Sequence, residues 1–259
     1  MTVDFAAPAL RGAYGDREVS AEWLAWCRAH LAPAGRDVAD IGCGGGIYSR
    51  GFARAGAASV VGVDRSPQYV AEARAAGAGL VAMRFIEGDA AATGLPDASI
   101  DLVFCRAVIH HLSAGEQAAA AAEWRRILRP GGLCAVQDRT ADDASADDPA
   151  YWVRATLFRT FPRLLATERA RRPDRAAYAG CLDAAGFEAV TVATFAETRR
   201  TYADFPALEA EILARKGKSI LHELSDAELA LYAARLGEAA GAPPLVERDP
   251  WTVWLARKG

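Results

Sequence analysis

Apolar positions in the first half of the chain fall into two alternating patterns. Short runs of apolar and β-branched residues are typical of buried strands, and stretches with apolar residues three or four positions apart are typical of amphipathic helices. The first such helix is predicted over 19–31, where one face carries Trp23, Trp26, Cys27 and Leu31. A short strand-like run and a glycine-rich turn follow it directly.

Strand and helix patterns then repeat up to residue 138. Strands are predicted at 38–41, 59–63, 80–86, 100–105 and 133–137. Helices are predicted between them at 47–55, after the cap and first-turn pair Ser66-Pro67, and at 114–128 behind a capping box of Ser113 and Glu116. Strands that alternate with helices at this spacing favour an α/β fold with a parallel sheet and helices on both faces.

This alternation breaks after Asp138. Small and acidic residues predict a loop at 140–148, and helices are predicted within 151–172, at 174–185 and twice within 202–236. Two further strands are predicted at 187–194 and 251–256. We interpret the stretches at about 141–172 and 202–240 as helical lid insertions in one domain, not as a second domain.

Composition and charge narrow the classes of protein that fit these elements. The 259 residues are 52% hydrophobic and carry a formal net charge of -3, which argues against whole-surface attraction to nucleic acid or to an anionic membrane. No apolar run approaches the roughly 20 residues needed to cross a bilayer, and the first residues lack the pattern of a secretory signal. Five scattered cysteines without a CxxC pair predict reduced thiols, a cytoplasmic location and no metal site.

The strongest chemical signal is the glycine-rich run after the first predicted strand, Asp40-Ile41-Gly42-Cys43-Gly44-Gly45-Gly46. Glycines at a strand-to-helix turn let a ligand approach the backbone, next to the free amides of the helix N-terminus. Asp64 closes the second strand about 20 positions later, where a carboxylate accepts hydrogen bonds from both hydroxyls of a ribose. The pattern therefore predicts a cofactor that contains a nucleoside.

Both nicotinamide dinucleotides and positively charged nucleoside cofactors bind at corners of this kind. Two residues indicate which of them this chain binds. The dinucleotide fingerprint has a third glycine where this chain has Ile47, which is a departure from the nicotinamide pattern. The carboxylate of Asp40 repels a pyrophosphate but attracts a cationic amino group and a sulfonium. A positively charged cofactor therefore fits better than a nicotinamide dinucleotide. The nicotinamide alternative would make the protein an oxidoreductase.

Further motifs follow the glycine run in a fixed order. They are Asp64, Gly88-Asp89-Ala90, Asp101-Leu102-Val103-Phe104-Cys105 and Leu128-Arg129-Pro130-Gly131-Gly132. The ordered set resembles the class I S-adenosylmethionine-dependent methyltransferases, close to the ubiquinone/menaquinone-biosynthesis-like branch, over 36–138. The resemblance implies a Rossmann-like fold whose mostly parallel, seven-stranded sheet has an antiparallel last strand. It also implies a cofactor-binding half at 1–140, with 141–259 as the remainder of the same domain.

The resemblance further implies that the chain binds S-adenosylmethionine and releases S-adenosylhomocysteine as the product. Asp40 and the backbone of the glycine run are expected to face the methionine part of the cofactor, and Asp64 is expected to hold the ribose. The full set of expected cofactor-binding residues is Tyr14, Asp40, Gly42, Cys43, Gly44, Gly46, Asp64, Arg65, Asp89, Ala90, Cys105 and Arg106.

The remaining expectations concern the adenine edge, the methionine amine and the aromatic residue Tyr14. Asp89, with the amide of Ala90, is expected to bind the adenine edge, and the backbone of Cys105 and Arg106 is expected to line the methionine amine. Tyr14 is expected either to fold over the cofactor or to have a packing role at the surface or in the core.

His110 and His111 are the candidate catalytic residues. They follow the fourth predicted strand, at the edge of the sheet where ligands lie in open α/β folds. A histidine titrates near neutral pH and is able to take a proton from an attacking hydroxyl or amine, although ordering of the loop is an alternative role. Asp138 and Arg139 end the fifth strand at the same edge and either contact the substrate or form a salt bridge.

The helical insertions favour a small-molecule acceptor with an oxygen, nitrogen or carbon nucleophile, because they suit the cover of a compact pocket. RNA methylation stays open as an alternative because of one arginine-rich stretch, although nearby acids are able to balance a solvated helix face. The stretch comprises Arg154, Arg159, Arg163, Arg169, Arg171, Arg172 and Arg175. A non-catalytic cofactor-binding protein is a further alternative, and the sequence leaves both a monomer and a homodimer open.

Overall fold

The computed structural model describes residues 18–80 and 82–259, which group into two compact units. The sheet unit comprises the described residues up to Asp138 together with Pro173–Thr194 and Thr252–Gly259. The helical unit comprises Arg139–Arg172 and Phe195–Trp251. The two segments predicted as insertions therefore pack with each other in the helical unit, and their action as a lid stays a prediction.

Seven strands form one sheet with the order β3-β2-β1-β4-β5-β7-β6. Their bounds are β1 Asp37–Ile41, β2 Ser59–Asp64, β3 Met83–Glu87, β4 Ile100–Arg106, β5 Leu128–Asp138, β6 Phe187–Tyr202 and β7 Leu245–Lys258. Strands β1 to β5 pair in parallel, and β7 runs antiparallel to β5. The predicted α/β fold with an antiparallel last strand is confirmed.

Ten α-helices occur among the described residues, and none of them is both long and apolar enough to cross a membrane. They are α1 Ala21–His30, α2 Ile47–Arg54, α3 Pro67–Ala76, α4 Ala114–Ile127, α5 Ala141–Ser145, α6 Trp152–Thr160, α7 Pro162–Arg171, α8 Arg175–Ala184, α9 Phe205–Leu213 and α10 Asp226–Ala239. The predicted caps are present: Ser66 accepts from the backbone of α3, and Ser113 and Glu116 form a capping box on α4.

The pairing register brings the carboxyl ends of the central strands together at one edge of the sheet. Ile41 at the end of β1 lies opposite Cys105 of β4, and Arg106 lies opposite Gln137 of β5. Ligands of open α/β sheets bind at this edge because the loops that follow the strands converge there. The glycine run and Asp64 lie at these strand ends and Gly88-Asp89-Ala90 follows β3, whereas the motif at 101–105 lies within β4 and the motif at 128–132 begins β5.

Each unit has its own apolar core. The sheet unit buries Trp124, Tyr178 and Trp254, and the indole N–H of Trp254 donates to the carbonyl of Arg175 at 3.0 Å. The helical unit buries residues such as Leu208 and Tyr232, whose hydroxyl donates to the carbonyl of Val153. Burial of large side chains stabilises each unit by roughly 1.5–3 kcal/mol per residue.

Several predicted boundaries differ from the structure for local reasons. Residues 140–148 are not a loop throughout, because Thr140 and Asp143 form a capping box that begins α5. The helix predicted within 151–172 is interrupted at Phe161-Pro162, since proline disfavours a helical residue before it. Leu80 is exposed and β3 begins only at Met83, whereas Trp26 of α1 is half-buried and stacks on His30.

Candidate active site

The glycine run forms a tight corner between β1 and α2. Gly42 and Gly46 have φ values of 71° and 77°, a region that favours glycine. A Cβ on Gly42 would lie 2.2 Å from Val108 Cγ2, and one on Gly46 would lie 2.9 Å from the Phe85 ring. A Cβ on Gly44 would meet no atom of the described residues within 4 Å, so with respect to them this glycine borders open space that a ligand is able to enter.

Asp64 connects this corner to the end of β2. Its Oδ2 accepts the N–H of Gly44 at 2.9 Å, and its Oδ1 accepts the N–H of Ser66 at 2.9 Å. Burial raises the pKa of Asp64, while the two backbone donors oppose that shift. A carboxylate offers about four acceptor positions, so both oxygens keep capacity for hydroxyl donors. Arg65, the next residue, is exposed.

Asp40 is almost fully buried, and its Oδ2 accepts the hydroxyl of Ser49 in α2 at 2.6 Å. Burial raises the pKa of Asp40 to about 7, the hydrogen bond from Ser49 opposes the shift, and the charge of Asp64 adds to it. A cation close to this carboxyl group would favour its ionised form. Ser49 was missed by sequence reasoning because its only signal is its place in the first turns of the helix after the corner.

The turn after β3 holds Asp89 and Ala90, the residues expected at the adenine edge. Asp89 is exposed, and its Oδ1 accepts the N–H of Ala91 at 2.9 Å. The carbonyl of Ala90 accepts the indole N–H of Trp124 at 2.9 Å, and the N–H of Gly88 donates to the carbonyl of Asp64. These bonds fix the turn relative to β2 and α4.

Cys43 and Cys105 are both buried, and burial raises the pKa of each thiol well above its usual range. Neither thiol is a nucleophile in this environment, because the thiolate is the reactive form. Arg106, which follows Cys105, places its guanidinium 4.2 Å from the centre of the Tyr48 ring. This cation–π contact connects the end of β4 to α2, and Tyr48 was missed by sequence reasoning.

His110 and Asp138, two separate candidates in the sequence, lie in direct contact. His110 Nδ1 is 2.9 Å from both carboxylate oxygens of Asp138, and the His110 N–H donates to Asp138 Oδ2 at 3.3 Å. The His111 ring centre lies 3.9 Å from that of His110. The side chain of Asp138 is fully buried, whereas 7% of the His110 side chain stays exposed.

Arg139 follows Asp138 in the chain and binds an acid within the helical unit. In the helical unit Arg139 forms an ion pair with Asp249 at 2.6 Å and lies 3.9 Å above the Trp251 ring, and Arg154 binds the same carboxylate at 2.9 Å. Burial opposes ionisation of Asp249, but the two guanidinium groups hold its pKa well below the usual range.

A second buried ion cluster lies nearby on the same strand of the helical unit. Glu247 pairs with Arg199 and with Lys218, both at 2.7 Å, and accepts the hydroxyl of Tyr202 at 2.9 Å. Burial and the charge of Arg199 lower the pKa of Lys218 to about 8, although Glu247 opposes that shift. Sequence reasoning missed this cluster.

Most of the arginine-rich stretch is paired with acids inside the helical unit. Arg159 pairs with Asp147 at 2.7 Å and Arg163 with Glu228 at 2.6 Å. Arg171 and Arg172 both pair with the buried Glu168. These contacts neutralise charge that an RNA substrate would need.

Tyr14 lies outside the described residues. Within 18–80 and 82–259, no group of three or more His, Cys, Asp or Glu side chains is placed so that it could hold a metal ion.

Comparison with known proteins identifies the domain that carries the glycine corner. Residues 39–136 match the family model described as a methyltransferase domain. The chain is 29% identical over 157 residues to the 2-methyl-6-phytyl-1,4-hydroquinone methyltransferase of Synechocystis sp.. The aligned region covers 56% of this chain and 49% of that relative. It is 36% identical over 112 residues to the ubiquinone biosynthesis O-methyltransferase of Methylococcus capsulatus, with 42% and 46% covered. The chain thus spans about half the length of the curated relatives it matches.

A solved structure shares the fold. Phosphoethanolamine N-methyltransferase 2 of Haemonchus contortus, in complex with phosphomonomethylethanolamine and S-adenosylhomocysteine, matches with a TM-score of 0.60 and 17% identity. The match covers 96% of this chain and 56% of that chain, and at this identity it shows the fold alone. The predicted resemblance to class I methyltransferases is confirmed by the family model and by the relatives.

Proposed function

We propose that this chain, whose residues 39–136 form a methyltransferase domain, moves a methyl group from S-adenosylmethionine to a small-molecule acceptor. The observation that carries the proposal is the glycine corner, where Gly44 borders open space and its amide is bonded to Asp64. A backbone corner that is open on one side and flanked by carboxylates is complementary to a nucleoside that carries positive charge. The residues present therefore fit this cofactor.

The individual roles follow from the contacts of each residue. Asp64 is already oriented by two backbone amides, so its remaining acceptor positions suit the ribose hydroxyls. Asp40 contacts Ser49 and Arg106 contacts Tyr48, and we assign to Asp40 and Arg106 the charge around the methionine end. Asp89 is exposed at the fixed turn after β3, where it is able to accept from an adenine amino group. Gly42, Gly46, Cys43 and Cys105 shape the corner, and Arg65 borders it.

The bound cofactor supplies a methyl group on a sulfonium, which is already activated for displacement. The protein's own residues then have to orient the acceptor and exclude water. Orienting the acceptor and excluding water do not require many catalytic side chains. The small number of catalytic groups agrees with a site made largely of backbone and single carboxylates.

The acceptor that we propose is a small molecule and not RNA. The relatives are named for a hydroquinone and for O-methylation in ubiquinone biosynthesis, which supports a small molecule as the acceptor. RNA is not favoured because the arginine-rich stretch is paired with acids.

We propose a cytoplasmic location for this activity. All five cysteines are free, and four of them are buried. Reduced buried thiols are typical of proteins that work where glutathione keeps cysteines reduced.

Calorimetric titration with S-adenosylhomocysteine tests the cofactor site. The Asp64→Asn substitution removes charge-assisted hydrogen bonds, so affinity is expected to fall roughly 10- to 100-fold. The matched control is Asp97→Asn, an exposed acid paired with Arg126 before the start of β4, which is expected to bind like the wild type. Unchanged affinity in Asp64→Asn, or thermal stabilisation by NAD alone, would contradict the proposal.

Turnover is tested with methyl-labelled S-adenosylmethionine and a panel of phenols, hydroquinones, amines and total RNA. Label is expected in a small-molecule acceptor and not in RNA. Tight binding of the cofactor without labelling of any acceptor would favour a non-catalytic protein.

A further inference from the structure

The contact between His110 and Asp138 has the geometry of an oriented proton acceptor. Because Nδ1 of His110 lies 2.9 Å from both carboxylate oxygens, the ring nitrogen that faces Asp138 carries the proton. The other ring nitrogen, Nε2, then carries the lone pair. A carboxylate that fixes the tautomer in this way also stabilises the imidazolium that forms when Nε2 takes a proton.

Two titratable groups among the described residues that interact with Asp138 do not compete with His110 for protons. Cys105 of β4 and Tyr178 of α8 also face Asp138, and burial raises the pKa of both well above their usual ranges. Both groups therefore stay neutral across the physiological pH range. His111 is the remaining titratable neighbour of His110 among the described contacts, with its ring centre 3.9 Å away.

The loop that carries His110 is held by further contacts besides the bond from the His110 N–H to Asp138 Oδ2. Its 3₁₀ turn, Ile109–His111, receives two hydrogen bonds from Gln117 of α4, to the carbonyls of Ile109 and Leu112. Ala107 donates to the carbonyl of Gln137 at 2.9 Å. A buried charge at Asp138 is costly to keep, and the bonds from Gln117 and Ala107 also hold this loop, so the contact of the carboxylate with the imidazole points to a chemical role.

The same loop packs against the glycine corner. Val108 lies so close to Gly42 that a Cβ there would be 2.2 Å from its Cγ2. His110 is two residues further along the loop, at the edge of the sheet where β4 and β5 end. The oriented imidazole and the proposed cofactor site therefore belong to one edge of the sheet unit.

We propose that His110 is the proton acceptor of the reaction, that Asp138 is its positioning residue, and that the acceptor is a hydroxyl compound. The inference rests on the proposed function. In the step, the acceptor O–H bond breaks and its proton goes to Nε2 of His110. The oxygen lone pair forms the new bond to the methyl carbon, while the carbon–sulfur bond breaks and leaves its electron pair on sulfur. A hydroxyl needs this assistance because it is a weak nucleophile until it loses its proton.

Two conservative variants separate proton transfer from folding. His110→Asn keeps a donor near the place of Nδ1, so the bond to Asp138 is retained while Nε2 is lost. Asp138→Asn keeps the shape of the carboxylate but offers a donor to Nδ1, so the tautomer is expected to reverse. Loss of a positioned base typically lowers turnover about 10²- to 10⁴-fold. Affinity for S-adenosylhomocysteine is expected to stay within about threefold in both variants.

The first readout is ¹⁵N NMR of the histidine side chains in the complex with S-adenosylhomocysteine. His110 is expected as the Nδ1–H tautomer in the wild type and as the Nε2–H tautomer in Asp138→Asn. The second readout is turnover against pH with the hydroxyl compounds of the acceptor panel. The wild-type rate is expected to rise with pH through one ionisation that is absent in His110→Asn.

The outcomes separate this inference from the proposed function. Full turnover in His110→Asn, an Nε2–H tautomer in the wild type, methylation confined to amines, or loss of turnover in His111→Asn alone would each overturn it. Loss of S-adenosylhomocysteine binding in the two variants would show a structural role and would also overturn it. Failure of the wild type to bind S-adenosylhomocysteine would instead contradict the cofactor assignment.

Discussion

Two buried carboxylates in the sheet unit and two in the helical unit have different partners and opposite pKa shifts. In the sheet unit, Asp40 and Asp64 receive hydrogen bonds from a hydroxyl and from backbone amides, and burial raises the pKa of both. In the helical unit, Glu247 and Asp249 lie against Arg and Lys side chains that hold their pKa values below the usual range, although burial opposes this. The sheet unit therefore keeps carboxylates whose charge is not yet compensated, and the helical unit keeps charges that are already neutralised.

The difference indicates where a cationic ligand gains most. A cofactor that brings positive charge relieves the cost of the buried carboxylates at the glycine corner, so part of its affinity comes from that relief. The ion clusters of the helical unit offer no such gain to a cation. Three predictions test this contrast, beginning with the largest expected effect.

Removal of Asp249 is expected to destabilise the protein most. Asp249→Ala leaves Arg139 and Arg154 buried without their common partner, and breaking a buried pair in this way costs about 3–5 kcal/mol. Chemical denaturation measures the change in the free energy of unfolding. The matched control is Asp147→Ala, an exposed acid paired with Arg159, where about 0–1 kcal/mol is expected. Equal effects of the two substitutions would contradict the view that the helical unit depends on its buried ion pairs.

Substitutions at two glycines of the corner are expected to have different effects, one mainly on the free energy of unfolding and the other mainly on cofactor affinity. Gly42→Ala places a Cβ against Val108 at a positive φ, so a loss of about 2–4 kcal/mol in unfolding free energy is expected. Gly44→Ala meets no atom of the residues that the structure describes, so its cost is expected to be about 1 kcal/mol, from backbone strain alone. Affinity for S-adenosylhomocysteine is nevertheless expected to fall in Gly44→Ala. If Gly44→Ala binds the cofactor like the wild type, the open space at the corner is not the site.

The smallest effect is expected for the change in the free energy of unfolding with pH that Asp40 causes. Its folded pKa of about 7 lies above the unfolded value, so the folded state binds the extra proton between these values and is destabilised as pH rises from about 4 to 7. Asp40→Asn removes this titration, so the gap in stability between variant and wild type is expected to change by about 2–3 kcal/mol in favour of the variant between pH 5 and pH 8. Denaturation at several pH values, with and without S-adenosylhomocysteine, measures this gap. A constant gap would contradict the raised pKa.

The parts of the site that follow one another along the chain were predictable. The glycine corner and Asp64 were recognised because backbone conformation and strand order place them together whatever the surrounding residues are. The boundaries of β3, β5, β6 and β7 were less well predicted, because strands lengthen or shorten according to their neighbours in the sheet.

Contacts between residues far apart in the sequence were not predictable. His110 and Asp138 were separate candidates, and only the parallel pairing of β4 with β5 brings them to hydrogen-bond distance. Asp249 received no role in the sequence interpretation, since its partners Arg139 and Arg154 are distant in the chain. No periodic pattern marks such pairs, because each requires a specific position and rotamer in the folded chain.

The sequence by itself determined the order of strands and helices, the glycine corner and the class of cofactor that the corner favours. These properties depend on local conformation and on the spacing of residues along one chain segment. The tertiary structure alone decided which carboxylate orients which imidazole and which buried charges neutralise one another. Burial lowers the effective dielectric constant around such groups, so their charge state depends on neighbours that only folding brings close.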